Sequence, residues 1–171
     1  LFFKNLEMKE IQLNKFHRTK NYMKFKALVD DDDFDKVNSY NWTVQVRHNA
    51  SLFYAGRRVG EDLILMHRFI MGVGKEYCID HIDGNGLNCQ KNNMRIATTS
   101  QNNMNKTGNK NASSIFKGVS FHKNKNKWQV IIGHKNKLYH LGYFDNEIEA
   151  ALTYNRSAVI RFGKYARLNI I

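Results

Sequence analysis

Apolar residues in this chain come in short alternating runs separated by loops rich in Asn, Gly, Lys and Asp, a pattern that restricts it to small sheets with a few helices. Trp42, Val44 and Val46 alternate with Thr43, Gln45 and Arg47, and the runs from Lys24 to Val29 and from Phe53 to Val59 are similarly short. Alternation with a period of two marks half-buried strands. An apolar content of 42% over 171 residues excludes wholesale disorder, and no run of 12 apolar residues occurs, so no membrane span is expected. A secretory signal pattern is absent, and Leu1 to Glu7, which precede Met8, are given no structural role. Two cysteines, Cys78 and Cys89, cannot build a disulfide framework or a four-cysteine zinc site, which points to an intracellular protein.

The fold class expected is α+β, in three pieces. Residues 1–62 form a small β-rich lead-in module. Within it the acidic run Asp30-Asp31-Asp32-Asp33 suits either a helix N-terminus or a solvated turn. Residues 63–105 read as a short helix over Met66–Met71 stopped by Gly72, a strand from Tyr77, a Gly/Asn loop, a second strand over Met94–Ala97, and a helix capped by Thr98 or Thr99. A polar linker, residues 106–112, leads to a third piece, residues 113–171. There, three strand-like runs precede an amphipathic helix from Glu147 to Phe162, with Ala151, Tyr154, Ala158 and Phe162 on one face. Trp128, Val130 and Ile132 form the inner face of that sheet, and Trp128 is read as core rather than as a base contact.

The net charge is +12, and residues 106–171 carry most of it, with 12 Lys/Arg against Asp145, Glu147 and Glu149. A basic excess concentrated in one segment is the footprint of a polyanion binder.

Chemistry concentrates in Asp80-His81-Ile82-Asp83-Gly84-Asn85, followed by Asn93 at 12 and Asn102 at 21 residues beyond His81. A neutral imidazole near pH 7 can take a proton from water. An Asp carboxylate with an Asn carbonyl suits a hard divalent ion and leaves coordination positions open for phosphate and water. Asp80 and Asn102 are the metal candidates, His81 the candidate base, and Asn93 the candidate amide that fixes the imidazole's tautomer and aim. Asp83 is read as organising the Gly84-Asn85-Gly86 turn. His67 and Arg68 either touch a phosphate or brace the fold.

Over about residues 60–105 the sequence resembles the HNH nucleases, in particular phage and intron-encoded homing endonucleases. The resemblance rests on His67-Arg68, Asp80-His81-Ile82-Asp83-Gly84-Asn85, Asn88, Asn92-Asn93-Met94-Arg95 and Gln101-Asn102-Asn103. It implies a ββα-metal motif, His81 as general base, Asp80 and Asn102 as ligands of Mg2+ or another divalent cation such as Mn2+, and Asn93 orienting His81. Some members carry zinc on paired Cys-x-x-Cys motifs; this chain has none, so no zinc is expected.

Residues 113–170 resemble the APETALA2-type DNA-binding domain through Phe116-Lys117-Gly118-Val119, Lys127-Trp128, His140-Leu141-Gly142-Tyr143-Phe144, Glu149-Ala150-Ala151, Tyr154-Asn155, Ala158, Phe162-Gly163, Ala166 and Asn169. That resemblance implies a three-stranded antiparallel sheet lying in the major groove. Lys117, Ser120, His122, Gln129 and His140 would face DNA, with Lys125 and Lys127 near phosphates. Plant members use arginines and tryptophans at such positions, so Ser120, His122 and His140 imply phosphate positioning with tolerant readout.

Together these readings give a metal-dependent DNA endonuclease, a site-specific homing enzyme in the cytoplasm of a phage-infected or bacterial host. Its partner is double-stranded DNA, which it would bind as monomer or homodimer, with His67, Arg68 and Arg95 adding contacts and no small-molecule cofactor. The alternative is a DNA-binding regulator whose HNH module does not cut.

Overall fold

The computed structural model describes residues 7–14, 25–47, 52–108 and 112–171. Residues 1–6, Lys24 and linker residues 109–111, which carried sequence expectations, lie outside the described residues. By its internal contacts the chain divides into two compact units, Leu1–Thr98 and Thr99–Ile171. The architecture is α+β, and its sheets are small and antiparallel.

In the first unit β1 (Met8–Gln12) pairs with β2 (Lys26–Asp30), and α1 (Asp31–Asn38) follows directly. β3 (Thr43–Arg47), β4 (Leu52–Val59) and β5 (Asp62–Leu65) form a meander, followed by α2 (Met66–Met71). Gly72 ends α2 in the left-handed region, at φ 64°, as its sequence position suggested. β6 (Cys78–His81) and β7 (Met94–Ala97) make the last ribbon. Two- and three-stranded sheets this small cannot bury a core alone. They share one instead: Val29, Val37, Trp42, Val44, Met66, Ile79, Leu87, Cys89 and Met94 belong to a single buried cluster. The lead-in strands and the ribbon therefore fold as one unit.

The acidic run does open a helix, with Asp31, Asp32 and Asp33 in its first turn, but Asp30 makes no side-chain cap. Its carboxylate is 1% exposed and reaches across the unit, accepting from the Lys91 backbone N–H at 2.8 Å and from Gln90 Nε2 at 3.3 Å. Leu28 N donates to Leu87 O and Cys89 N to Leu28 O, both at 2.8 Å. The long loop between β6 and β7 is thus stitched to β2.

The second unit begins with α3 (Thr99–Met104), then β8 (Val119–His122), β9 (Lys127–His134) and β10 (Lys137–Phe144) in the order β10-β9-β8, then α4 (Glu147–Phe162). Asn146 caps α4, its Oδ1 accepting from Ile148 N at 2.8 Å and Glu149 N at 3.1 Å. Val119, Val130, Ile132, Ala151, Tyr154, Ala158 and Phe162 are buried between sheet and helix, as the periodicity indicated. Met104 packs against that cluster, which is why α3 joins the C-terminal unit and the division falls ahead of the polar linker. No described helix is long and apolar enough to cross a membrane.

Cys89 is fully buried, and burial pushes its thiol up to about 12. Above the ordinary value of 9.0 the unfolded chain holds fewer protons at this thiol than the folded one, so its contribution to stability falls as pH rises from 9.0 toward 12. We expect a thiol reagent at pH 8 to modify Cys89 only at the rate of unfolding; rapid labelling of Cys89 in the native protein would contradict this packing.

Candidate active site and nucleic-acid face

The β6–β7 ribbon sets Asp80 opposite Arg95 and His81 opposite Met94. Asp80 is 3% exposed and His81 6%. The connection between the strands is held by side-chain amides. Asp83 Oδ1 accepts from Asn85 N at 2.7 Å, an Asx turn, and Asp83 Oδ2 from Asn88 Nδ2 at 2.8 Å. Asn93 completes the knot: its Oδ1 accepts from Asp83 N at 3.0 Å, and its Nδ2 donates to Asp83 Oδ1 at 3.0 Å and to Asn88 O at 2.9 Å. Both amide protons are thereby used. Asn93 was expected to hold the imidazole directly; its carboxamide instead holds the turn that begins one residue after His81. Ile82 N donating to Asn93 O at 2.8 Å closes the ribbon at the same point.

His81 lies in a trio of rings. His67 from α2 meets it edge-on with centroids 5.1 Å apart, and Tyr54 from β4 lies 5.9 Å from His81 and 5.6 Å from His67. His67 is 5% exposed, and its Nδ1 is buried without a hydrogen-bond partner. Burial, with His81 and Arg68 adding to it, lowers His67 to about 3, so this imidazole is neutral. His81 is also lowered by burial, against the opposing pull of Asp83 and Asp80. Gly86 is required by close approach: a Cβ there would stand 2.5 Å from both Phe53 O and Tyr54 Cε1. Tyr54 was not singled out by the sequence, because an aromatic residue in a half-buried strand carries no signal beyond packing.

Three residues expected at DNA are engaged within the protein. His67 is buried in ring contact rather than presented to phosphate. The Arg68 guanidinium donates to Tyr77 O at 2.8 Å and to Gly74 O, bracing the segment between α2 and β6. Arg95 donates from Nε to Asp80 Oδ2 at 2.8 Å, with Nη2 at 2.6 Å from the same oxygen. Cross-strand register is the reason: opposite positions on a ribbon place the two side chains side by side. Asn102 lies on α3, half-buried, in the second unit.

In that second unit, Ser120, Gln129 and Tyr143 are register partners across the three strands, and His122 is opposite Lys127. They share the face turned away from Val130 and Ile132. Tyr139, Leu141 and Tyr143 alternate in sequence and would lie on one face, but the register shifts between His140 and Gly142, where Gly142 has φ 135°. The bulge turns Tyr143 outward beside His140, their rings 4.5 Å apart, with His122 at 5.4 Å and Lys125 Nζ 3.9 Å from the Tyr143 centroid. Lys127 reaches Asp145 at 3.1 Å. Lys117 is not part of this face; its ammonium donates to Met104 O at 2.5 Å.

Asp80 and His81 are thus both buried at the end of a ribbon whose turn is knotted by Asp83, Asn88 and Asn93. Among known proteins, an uncharacterized HNH endonuclease (L560) of Acanthamoeba polyphaga mimivirus is 33% identical over 147 residues, covering 81% of this chain and 75% of that protein. This chain belongs to the HNH endonuclease family. Protein 3.8 of Escherichia phage T7 is 37% identical over 65 residues, 38% of this chain and 54% of its own length. No family model and no solved structure matches the chain.

Removing the Asn93 carboxamide leaves the Asp83 N–H and the Asn88 carbonyl without that partner. Asn93→Ala is therefore expected to cost about 1–3 kcal/mol in chemical denaturation, with the amide resonances of residues 82–88 shifting. An unchanged midpoint would show that the knot carries no stability.

Proposed function

We propose that this protein is a metal-dependent DNA endonuclease, a site-specific homing enzyme, with His81 as the general base. The observation that carries this reading is the burial of both Asp80 and His81, successive residues of a ribbon whose turn is locked by Asp83, Asn88 and Asn93. Family membership supports nuclease chemistry, and the basic second unit supports a nucleic-acid substrate.

His81 in its neutral form takes the proton from a water aligned with the scissile phosphorus. Packing against His67 and Tyr54 limits where its ring can point, as an effective base requires. Among the described residues no group of three or more His, Cys, Asp or Glu is placed to hold a metal ion. A carboxylate and an amide oxygen are the donor types a Mg2+ or Mn2+ ion takes, although Asp80 Oδ2 already carries Nε and Nη2 of Arg95. Asp80 would hold it, with Asn102 the second ligand that the HNH resemblance implies, and when bound the ion would supply Lewis acidity at the phosphate and the departing 3′ oxygen. Asn93 acts on His81 through the turn. Ser120, His122, Gln129, His140, Lys125 and Lys127, now with Tyr143, form the face offered to duplex DNA, in keeping with the APETALA2-type resemblance.

Incubating supercoiled plasmid with Mg2+ tests the enzyme. His81→Ala is expected to retain DNA binding while cleavage falls by about 100- to 10,000-fold, the usual worth of a positioned base. Equal cleavage by the variant and the wild type removes His81 from this role. Absence of cleavage by the wild type on any duplex library would favour a binding protein that does not cut. Because lysines supply the grip, log K for DNA should fall by about 0.9 per neutralised phosphate for each tenfold rise in salt; a flat salt titration would reject the electrostatic footprint.

A further inference from the structure

The second unit contains a cleft of about 490 Å³ that the reading above does not use. Ser100 and Asn103 of α3, Lys117, and His134, Lys135 and Lys137 of the β9–β10 hairpin line it, and no Asp or Glu is among its lining residues. Ile132, Leu138, Tyr154 and Phe162 give it an apolar floor. The volume falls within the range of small-molecule sites, roughly 300–1,000 Å³, and is larger than a bare inorganic ion needs.

Lys117 is the unusual member. It is half-buried, and its ammonium meets only the carbonyl of Met104 among the described residues. Burial and the nearby Arg167 guanidinium lower it to about 8. Its backbone is fixed on both sides. Lys117 N donates to Asn169 Oδ1 at 2.7 Å, Asn169 Nδ2 donates to Lys117 O at 3.2 Å, and Asn155 clasps the Asn169 backbone at 2.7 and 2.9 Å. Gly118 allows no side chain: a Cβ would lie 2.2 Å from Tyr154 Cδ2. The ammonium is therefore held at the cleft by a rigid frame, with donor capacity beyond the one carbonyl it meets. The hairpin adds two more lysines through a tight turn in which Lys135 and Asn136 take φ of 49° and 59°. A concave site of one sign with low-dielectric walls concentrates the opposite charge.

We propose that this cleft binds the phosphate of a nucleotide, the phosphate on Lys117 and the hairpin lysines and the organic part on the apolar floor. The nucleotide is either free or part of a nucleic-acid strand, since both present the same chemistry. This site is separate from the Asp80–His81 centre and does not depend on cleavage.

Lysine 15Nζ spectra of the full chain, recorded with AMP, with inorganic phosphate and with a short DNA duplex, test it. We expect the Lys117 resonance to shift and its titration midpoint to rise, because a phosphate stabilises the ammonium. Saturation by AMP assigns a free nucleotide, and a shift with duplex alone assigns a strand phosphate; either supports the site. Lys117→Met should weaken binding at least tenfold and Lys117→Arg should restore most of it. Should Lys117→Met fail to fold, the exposed pair Lys135→Gln/Lys137→Gln is expected to weaken binding severalfold with an unchanged circular dichroism spectrum. The proposal is overturned if none of the three probes moves Lys117, if inorganic phosphate binds as tightly as AMP and duplex, or if the hairpin variant binds like the wild type.

Discussion

The reciprocal pair between Asp83 and Asn93 is the contact on which the candidate active site depends. Asp83 N donates to Asn93 Oδ1 and Asn93 Nδ2 returns the bond to Asp83 Oδ1, both at 3.0 Å. These residues flank a loop that carries its polar groups into a partly buried setting, where an unmade hydrogen bond costs about 1–3 kcal/mol. The knot answers that demand with side chains, and so fixes the strand ends on which Asp80 and His81 stand. Asp30, a buried carboxylate, holds the far part of the same loop by taking the Lys91 N–H. The lead-in strands thus serve the ribbon mechanically.

This dependence explains what was legible in the sequence. The alternation at Trp42, Val44 and Val46 and the helical spacing of Ala151, Tyr154 and Ala158 record burial, and burial is local in origin, so those elements appear where they were expected. Asp83's turn could also be read, because Asx bonding spans two residues. The roles of Asp30 and Arg95 could not. Asp30 finds its partners 60 and 61 residues away, and Arg95 meets Asp80 only because the ribbon's register sets them opposite. Tyr143 was hidden for a related reason: one bulge reverses the alternation, and residue types alone do not announce it beyond the glycine at position 142.

Formal charge overstates the cationic surface by a similar logic. Arg68 and Arg95 are committed to backbone carbonyls and a buried carboxylate, Arg57 lies 3.8 Å over the Tyr40 ring, and Arg161 lies 3.8 Å over Tyr139. Planar guanidinium suits such stacked or forked sites better than ammonium does. Lysines are left to provide much of the surface charge, and their compact, hydrated heads favour phosphate over a patterned base edge.

Burial has a different consequence at His81. Two nearby carboxylates favour the imidazolium, yet desolvation outweighs them and the imidazole is lowered. Edge-on packing of His67 and the tilted ring of Tyr54 limit where the imidazole points, from two other elements of the same unit. Two neutral imidazoles can lie 5.1 Å apart without repulsion, whereas protonating either would place a charge against the other's buried ring. Burial and packing therefore act together: burial lowers both imidazoles, and the less charge they carry the more readily they pack at this distance.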